Sequence, residues 1–125
     1  MNRDIIKLEL PKEAKYISVA RLAISGISMG MGFDIDCIED LKVSIAEACI
    51  NALRTTEDEG IKLEFEVNKD NILARVKDVK DVENTGLEEL RMGQLIINSL
   101  MDHVEFTDFG IEMTKQLGVD ADDYE

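Results

Sequence analysis

The spacing of apolar positions changes several times along the chain, and each change predicts a new secondary-structure element. Residues 5–10 alternate apolar and charged side chains after their first pair, which is typical of a half-buried β-strand ending at Pro11. From Lys12 the apolar positions recur at three- and four-residue steps, the spacing of one helix face. They are Ile17, Ala20, Ile24, Ile27 and Met31. Gly30 and Gly32 predict the end of this helix.

A second helix follows almost at once. Asp36, with Glu39 three residues later, resembles a capping box that opens it, and we expect the helix to end near Thr55. Its apolar face consists of Ile38, Leu41, Ile45, Ala48, Cys49 and Ala52. Cys37 and Cys49 would lie roughly 18 Å apart along such a helix, and a disulfide needs Cα atoms within about 7 Å. We therefore expect free thiols, which fits a reducing, cytoplasmic compartment.

The second half of the chain predicts two hairpins with a helix between them. Its first turn, Asn68-Lys69-Asp70-Asn71, has residue types that favour turns. In chain order, the predicted elements are strands at 61–67 and 72–77, a polar loop at 78–86, a helix at 87–101, and strands at 104–107 and 111–117. The whole order, β-α-α-β-β-α-β-β, predicts an α+β two-layer sandwich. Helices would cover one face of a mixed, mainly antiparallel sheet.

Composition narrows the classes of function. The 125 residues include 14 Lys+Arg and 27 Asp+Glu, for a net charge of −13. This excess repels phosphates and excludes a main role in gripping nucleic acid. No apolar run approaches the ~18 residues that span a bilayer, and the first residues do not resemble a signal peptide. We expect one cytoplasmic domain over 1–118, without membrane contact, followed by an acidic tail over 119–125.

Two polar residues of the second helix are candidates for chemistry. Glu47 and Asn51 lie four positions apart, so their side chains are neighbours on one helix face. A carboxylate and an amide in this arrangement could act as a base and as a metal-supporting oxygen. The alternative is a solvated helix face, since both residue types are common on surfaces.

The first helix offers a different kind of site. Ser18, Arg21, Ser25 and Ser28 form a stripe of small polar residues with one arginine. Small residues allow close approach of a partner, and arginine is favoured at interfaces. The alternative is a plain solvent-facing stripe.

Four segments, in this order along the chain, resemble one protein family. They are Arg21-Leu22-Ala23-Ile24-Ser25-Gly26, Glu47-Ala48-Cys49-Ile50-Asn51-Ala52, Leu100-Met101-Asp102-His103-Val104 and Met113-Thr114-Lys115. Together they are similar to the anti-sigma factor serine-protein kinases of Gram-positive bacteria, which restrain stress-response or sporulation sigma factors. Because that family belongs with the gyrase, histidine-kinase and heat-shock-chaperone ATPases, the resemblance implies a histidine-kinase-like ATPase fold.

The resemblance implies a role for each matching residue. Glu47 would be the general base, Asn51 would hold the Mg²⁺ of Mg-ATP, and Asp78 would bind the adenine amino group. Gly93 is what remains of a Gly-x-Gly that closes the family's lid, and would lie at the cofactor. Arg21, with Ser25 beside it, would contact the antagonist protein.

The chain departs from the family pattern around the nucleotide. Lys80 stands where the family has a glycine, which lets the backbone approach the ligand. The segment 82–91 takes the place of a long mobile lid, and Ile111 follows Gly110 where a threonine is expected. These departures imply that the Mg-ATP site is degenerate.

Three functions are consistent with the sequence. The first is an anti-sigma regulatory protein that binds a sigma factor, with an antagonist protein competing for it. The second is an active ATP-dependent serine/threonine kinase that phosphorylates the antagonist. The third is an unrelated small α+β interaction module. The acidic surface suits a partner with a basic face, and the resemblance implies a homodimer that pairs through the sheet.

Overall fold

Residues 3–118, which the computed structural model describes, form five strands and three α-helices. In chain order they are β1 (Asp4–Pro11), α1 (Ile17–Met31), α2 (Ile35–Thr55), β2 (Gly60–Val67), β3 (Asn71–Lys77), α3 (Arg91–Leu100), β4 (His103–Phe106) and β5 (Gly110–Gln116). Short 3₁₀ turns lie at Ala14–Tyr16, Val82–Asn84 and Glu88–Leu90. The predicted order of elements is confirmed, and the predicted acidic tail lies outside the described residues.

The sheet has the strand order β1-β2-β3-β5-β4, and every pairing is antiparallel. Alternate residues of the three central strands are buried, as expected when helices cover one face. On that face α2 packs between α1 and α3. The α+β two-layer sandwich is therefore confirmed, with α2 as its central helix. The sheet was predicted to be mixed, but among residues 3–118 its four strand pairings are all antiparallel.

The start of α2 differs from the prediction. The side chain of Asp34, not Asp36, caps the helix by accepting a hydrogen bond of 2.8 Å from the Cys37 N–H. The reason lies in the preceding turn. Gly32 adopts a left-handed conformation with φ 96° at the end of α1, and Phe33 is buried. Anchoring Phe33 leaves Asp34 as the residue that enters the helix.

The other predicted boundaries are close to those observed. The second helix ends at Thr55, as expected. The 87–101 segment begins with a 3₁₀ turn, so that α3 starts only at Arg91. The stripe on α1 is wrong at one position, because Ser28 is fully buried and donates to the Ile24 carbonyl over 2.7 Å.

Both cysteines are free, as expected. Cys49 is buried in the core, and burial raises the pKa of its thiol to about 12. A thiol is a poor nucleophile while it stays protonated. Cys49 is therefore a packing residue.

A buried lysine fixes α3 against α2. Lys115 on β5 donates to the Leu100 carbonyl at the end of α3 over 2.6 Å, and lies 3.3 Å from the Asp40 carboxylate on α2. A cation at a helix C-terminus also interacts favourably with the helix dipole. This contact sets the position of α3 over the residues described next.

Candidate functional site

Glu47 and Asn51 meet at one cavity, as their spacing predicted. The cavity lies between α2 and α3, has a volume of about 30 Å³, and is also lined by Gly93, Gln94, Phe106 and Ile111. A single water molecule occupies a similar volume in the liquid. Of the predicted site residues, Glu47, Asn51 and Gly93 therefore line the same small cavity.

Gly93 on α3 lies against the Glu47 carboxylate of α2. A Cβ atom on Gly93 would lie 2.6 Å from the Glu47 Oε1 atom. Real Cβ atoms do not come this close, so a side chain here would require the Glu47 carboxylate to move. In this structure Gly93 allows α3 to rest on Glu47.

Both ends of the Asn51 amide are already engaged. Its Nδ2 atom donates to the Lys80 carbonyl over 3.2 Å, and its Oδ1 atom lies 3.1 Å from the Thr55 hydroxyl oxygen. The side chain is buried. Asn51 therefore holds the loop that follows β3 against the end of α2.

Asp78 lies outside the cavity, on a neighbouring open groove of about 200 Å³. Its carboxylate accepts from the Thr56 hydroxyl over 2.7 Å, and its own carbonyl accepts from Thr55 over 2.8 Å. Asp78 has a left-handed backbone with φ 66°, which is uncommon outside glycine. The groove also contains Lys80 and Phe109.

The two threonines at the end of α2 are site residues that sequence reasoning missed. Thr55 and Thr56 hold Asn51 and Asp78 in the contacts just described. The available signal was the spacing of Thr55, four residues after Asn51 on the same helix face. No local pattern indicated the contact of Thr56 with the later loop.

The short segment that replaces the lid is folded onto the helices. Glu89 forms an ion pair of 2.7 Å with Arg54 on α2. At the other end, the Gln94 side chain accepts from the Val82 N–H over 2.7 Å. Arg54 and Gln94 were not predicted as part of the site. Exposed ion pairs such as Arg54–Glu89 stabilise little, whereas the Gln94 contact is partly buried.

The cavity beside Glu47 and Asn51 is small compared with nucleotide pockets. Pockets for ligands of nucleotide size have volumes of about 300 Å³ or more, and the cavity beside Glu47 and Asn51 has about 30 Å³.

The predicted partner residues lie on a separate surface. Arg21 is exposed on α1 and Ser25 is half-buried beside it, on the opposite side of α2 from α3. Three large apolar side chains are exposed on the same helix, Leu22 at 72 %, Met29 at 66 % and Val19 at 39 %. The sequence analysis did not single out Leu22. In the part of the chain that the structure describes, no helix is long and apolar enough to cross a membrane.

The contact between Gly93 and Glu47 can be tested by a double-mutant cycle. We expect Gly93→Ala in the native chain to bring no gain in stability, because the new Cβ meets the Glu47 carboxylate. In a Glu47→Ala background the same change should stabilise by about 0.5–1 kcal/mol, the usual advantage of alanine over glycine inside a helix. Urea unfolding of the four proteins measures the difference. Equal effects in the two backgrounds would show that α3 does not rest on Glu47.

Comparison with known proteins places the chain among ATPase-like kinases. A family model of the histidine kinase-like ATPase domain matches residues 10–115. The serine-protein kinase RsbW of Oceanobacillus iheyensis is 34% identical, with 98% of this chain and 94% of that protein covered. RsbW of Listeria innocua is also 34% identical, with 91% of this chain and 88% of that protein covered.

A solved structure shows the same fold. It contains the RsbU and RsbW domains of Rv1364c from Mycobacterium tuberculosis, and matches 90% of this chain and 32% of that chain with a TM-score of 0.64 at 17% identity.

The alignment to the Oceanobacillus protein runs over 149 positions. This chain has 125 residues, so at least 24 of those positions (149 − 125) have no counterpart here.

Proposed function

The chain belongs to the histidine kinase-like ATPase domain family, together with RsbW-type serine-protein kinases, and on that premise we propose that it is an anti-sigma regulatory protein that acts by binding. Its partners would be a sigma factor and an antagonist protein that competes for it. Competition of this kind requires overlapping surfaces and no chemistry. We place this function in a single domain over residues 1–118, acting in the cytoplasm without direct contact to nucleic acid or membrane.

The size of the cavity carries the proposal. With α3 resting on Glu47 and about 30 Å³ left beside Asn51, the folded chain needs no nucleotide to fill its site. We infer that the nucleotide site is weak and that binding to proteins is the retained activity.

The charge distribution supports a protein partner. The net charge of −13 suits a partner with a basic face, while α1 has a single charged residue, Arg21. We assign Arg21 and Ser25 to the partner interface, with the exposed Leu22 and Met29 adding apolar area. The face of the sheet that no helix covers is where we place a homodimer contact.

A binding experiment tests this proposal directly. Purified protein is titrated with the sigma factor encoded in the same genome, in the presence and absence of Mg-ATP. We expect binding of similar affinity in both conditions, because the folded site is complete without nucleotide. Absence of binding in both, or binding only with Mg-ATP, would contradict the proposal.

One observation favours the kinase as a second candidate. Glu47 and Asn51 line the same cavity, and Asp78 lies on the groove beside it. These are the three positions to which the family resemblance gives catalytic and nucleotide-binding roles. A rise in Tm with millimolar Mg-ATP that is abolished by Asn51→Ala, together with phosphate transfer to the antagonist, would establish the kinase instead.

A further inference from the structure

Four apolar side chains are exposed on the outer side of α2 and α3, away from the hydrophobic core. Val43 and Ile50 lie seven positions apart on α2, which places them on one helix face. Met92 and Leu95 lie three positions apart on α3, which makes them neighbours on its surface. Each of the four residues is between 38 % and 65 % exposed. We call these four side chains the α2–α3 patch.

The patch surrounds the contact between Gly93 and the Glu47 carboxylate. Val43 lies about one turn before Glu47 on α2, and Ile50 about one turn after it. On α3, Met92 directly precedes Gly93. Ile50 and Gly93 also line the same small cavity. The apolar residues of the two helices therefore adjoin across the groove between them.

The two helices run in opposite directions, and this decides what lies at the ends of the patch. Lys115 lies 3.3 Å from the Asp40 carboxylate near the start of α2, and donates to the Leu100 carbonyl at the end of α3. At the other end, Arg54 near the end of α2 pairs with Glu89, which lies just before α3. The start of each helix therefore lies beside the end of the other.

Exposed carboxylates lie at both ends of the patch. Asp36 and Glu39 precede it on α2, and Glu88 and Glu89 precede it before α3. Three of these four carboxylates pair with cations of this chain, but the pairs are on the surface. Because exposed ion pairs contribute little to stability, a basic side chain of another protein can join these carboxylates at little cost.

The charge at the two ends selects the kind of partner. A second copy of this chain would place carboxylates against carboxylates in either orientation, because both ends are acidic, and such like-charge contacts cost free energy. An amphipathic helix with an apolar stripe between two basic ends suits both the patch and its ends. Between Glu39 and Arg54, α2 rises by about 22 Å, so a helix of about 15 residues spans this surface.

We propose that the α2–α3 patch is the docking surface for an amphipathic helix of the sigma factor, with an apolar stripe between basic ends. The inference rests on the proposed function, and names a surface for the partner that acts on DNA and must therefore carry basic side chains. The antagonist would meet α1 through Arg21. Because α2 packs between α1 and α3, the two footprints would adjoin on α2, which makes competition between the partners possible.

Glutamine variants test the apolar contact. Met92→Gln/Leu95→Gln removes half of the patch, and glutamine is a good helix former at two exposed positions. Ile35→Gln is the matched control, since Ile35 is an exposed apolar residue of α2 about 12 Å before Val43. In calorimetric titrations with the sigma factor encoded in the same genome, the double variant should bind at least about tenfold more weakly than the native chain. The control should bind within about twofold of it.

A second pair of variants tests the acidic ends. Glu39→Gln/Glu88→Gln removes one exposed carboxylate from each end of the patch, and Asp70→Asn/Asp108→Asn removes two from exposed turns elsewhere. We expect the first change to weaken binding of the sigma factor about threefold or more at low salt, and much less at about 1 M salt. The second change should have a smaller effect at low salt. Equal effects of the two would overturn the assignment of basic ends to the docking helix.

The outcomes separate this proposal from the proposed function. Circular dichroism first shows that Met92→Gln/Leu95→Gln is folded, and the single variant Met92→Gln replaces it if it is not. A folded variant that binds the sigma factor as tightly as the native chain overturns the proposal and leaves the proposed function standing. An equal loss of antagonist binding also overturns it, as does a native dimer that the variant dissociates in sedimentation, because a second copy would then occupy the patch. Failure of the native chain to bind the sigma factor overturns both.

Discussion

Replacing Arg75 with methionine is expected to lower the free energy of unfolding by about 2 kcal/mol at pH 7. Arg75 lies at the centre of the uncovered sheet face and holds three glutamates on two neighbouring strands. It donates to Glu112 over 2.6 Å and to Glu66 over 2.7 Å, and lies 3.6 Å from Glu64. Its side chain is 18 % exposed, so solvent screens these contacts only in part. Without the guanidinium, three carboxylates face one another.

The same variant should reverse the dependence of stability on pH. The hydrogen bond from Arg75 lowers the pKa of Glu66 in the folded chain. Its contribution is therefore complete above the unfolded pKa of about 4.3 and is lost as pH falls through the lower, folded pKa. In Arg75→Met, repulsion among the carboxylates should raise a folded-state pKa above the unfolded value. The variant should then gain stability as pH falls from 7 toward 5.

A second arginine provides the control. Arg91 also bridges two glutamates, Glu83 at 2.8 Å and Glu88 at 2.7 Å, but these carboxylates are 68 % and 76 % exposed. We expect Arg91→Met to change the free energy of unfolding by about 0.5 kcal/mol or less. Urea unfolding of both variants at pH 5 and pH 7 makes the comparison. If the two lose the same stability, the Arg75 cluster contributes no more than an ordinary surface pair.

The elements of the fold could be predicted because each depends on local periodicity. The apolar positions of α1 are confirmed as its inward face, with Ile17, Ala20 and Ile24 buried. The choice between Asp34 and Asp36 as the cap of α2 could not be made in this way. Both are aspartates two positions apart, and the burial of Phe33 against the core decides between them. Local spacing identifies a helix more securely than its first residue.

In the candidate site too, local spacing could be predicted and long-range packing could not. Glu47 and Asn51 lie on one helix, so their proximity follows from a spacing of four residues. Their distance from α3 depends on the length and fold of the segment between β3 and α3, and on the contact of Lys115 with the end of that helix. The volume of the cavity depends on how elements distant in sequence pack against each other. The sequence predicted which residues meet and indicated a degenerate site, but not that Gly93 would lie against the Glu47 carboxylate.

Replacing Arg21 with glutamate is expected to weaken binding of the antagonist protein by about 30-fold or more, the effect of losing a central interface arginine. Arg21 is the single charged residue of α1 in a chain of net charge −13. It is exposed beside Leu22, whose side chain is 72 % exposed. An arginine next to apolar area is a common composition for the centre of an interface. In Arg21→Glu, a carboxylate would face the acidic side chain or carbonyl oxygen that the Arg21 guanidinium contacts.

The control must separate the loss of this contact from the change in net charge. Lys69→Glu makes the same charge change in the exposed β2–β3 turn, and we expect it to alter binding by about threefold or less, mainly through the association rate. Arg21→Lys keeps the charge but loses bidentate pairing, so its affinity should fall between those of the native chain and Arg21→Glu. Surface plasmon resonance with immobilised antagonist protein measures the affinities of the three variants. Equal losses in Arg21→Glu and Lys69→Glu would mean that long-range charge, rather than the α1 surface, governs the interaction.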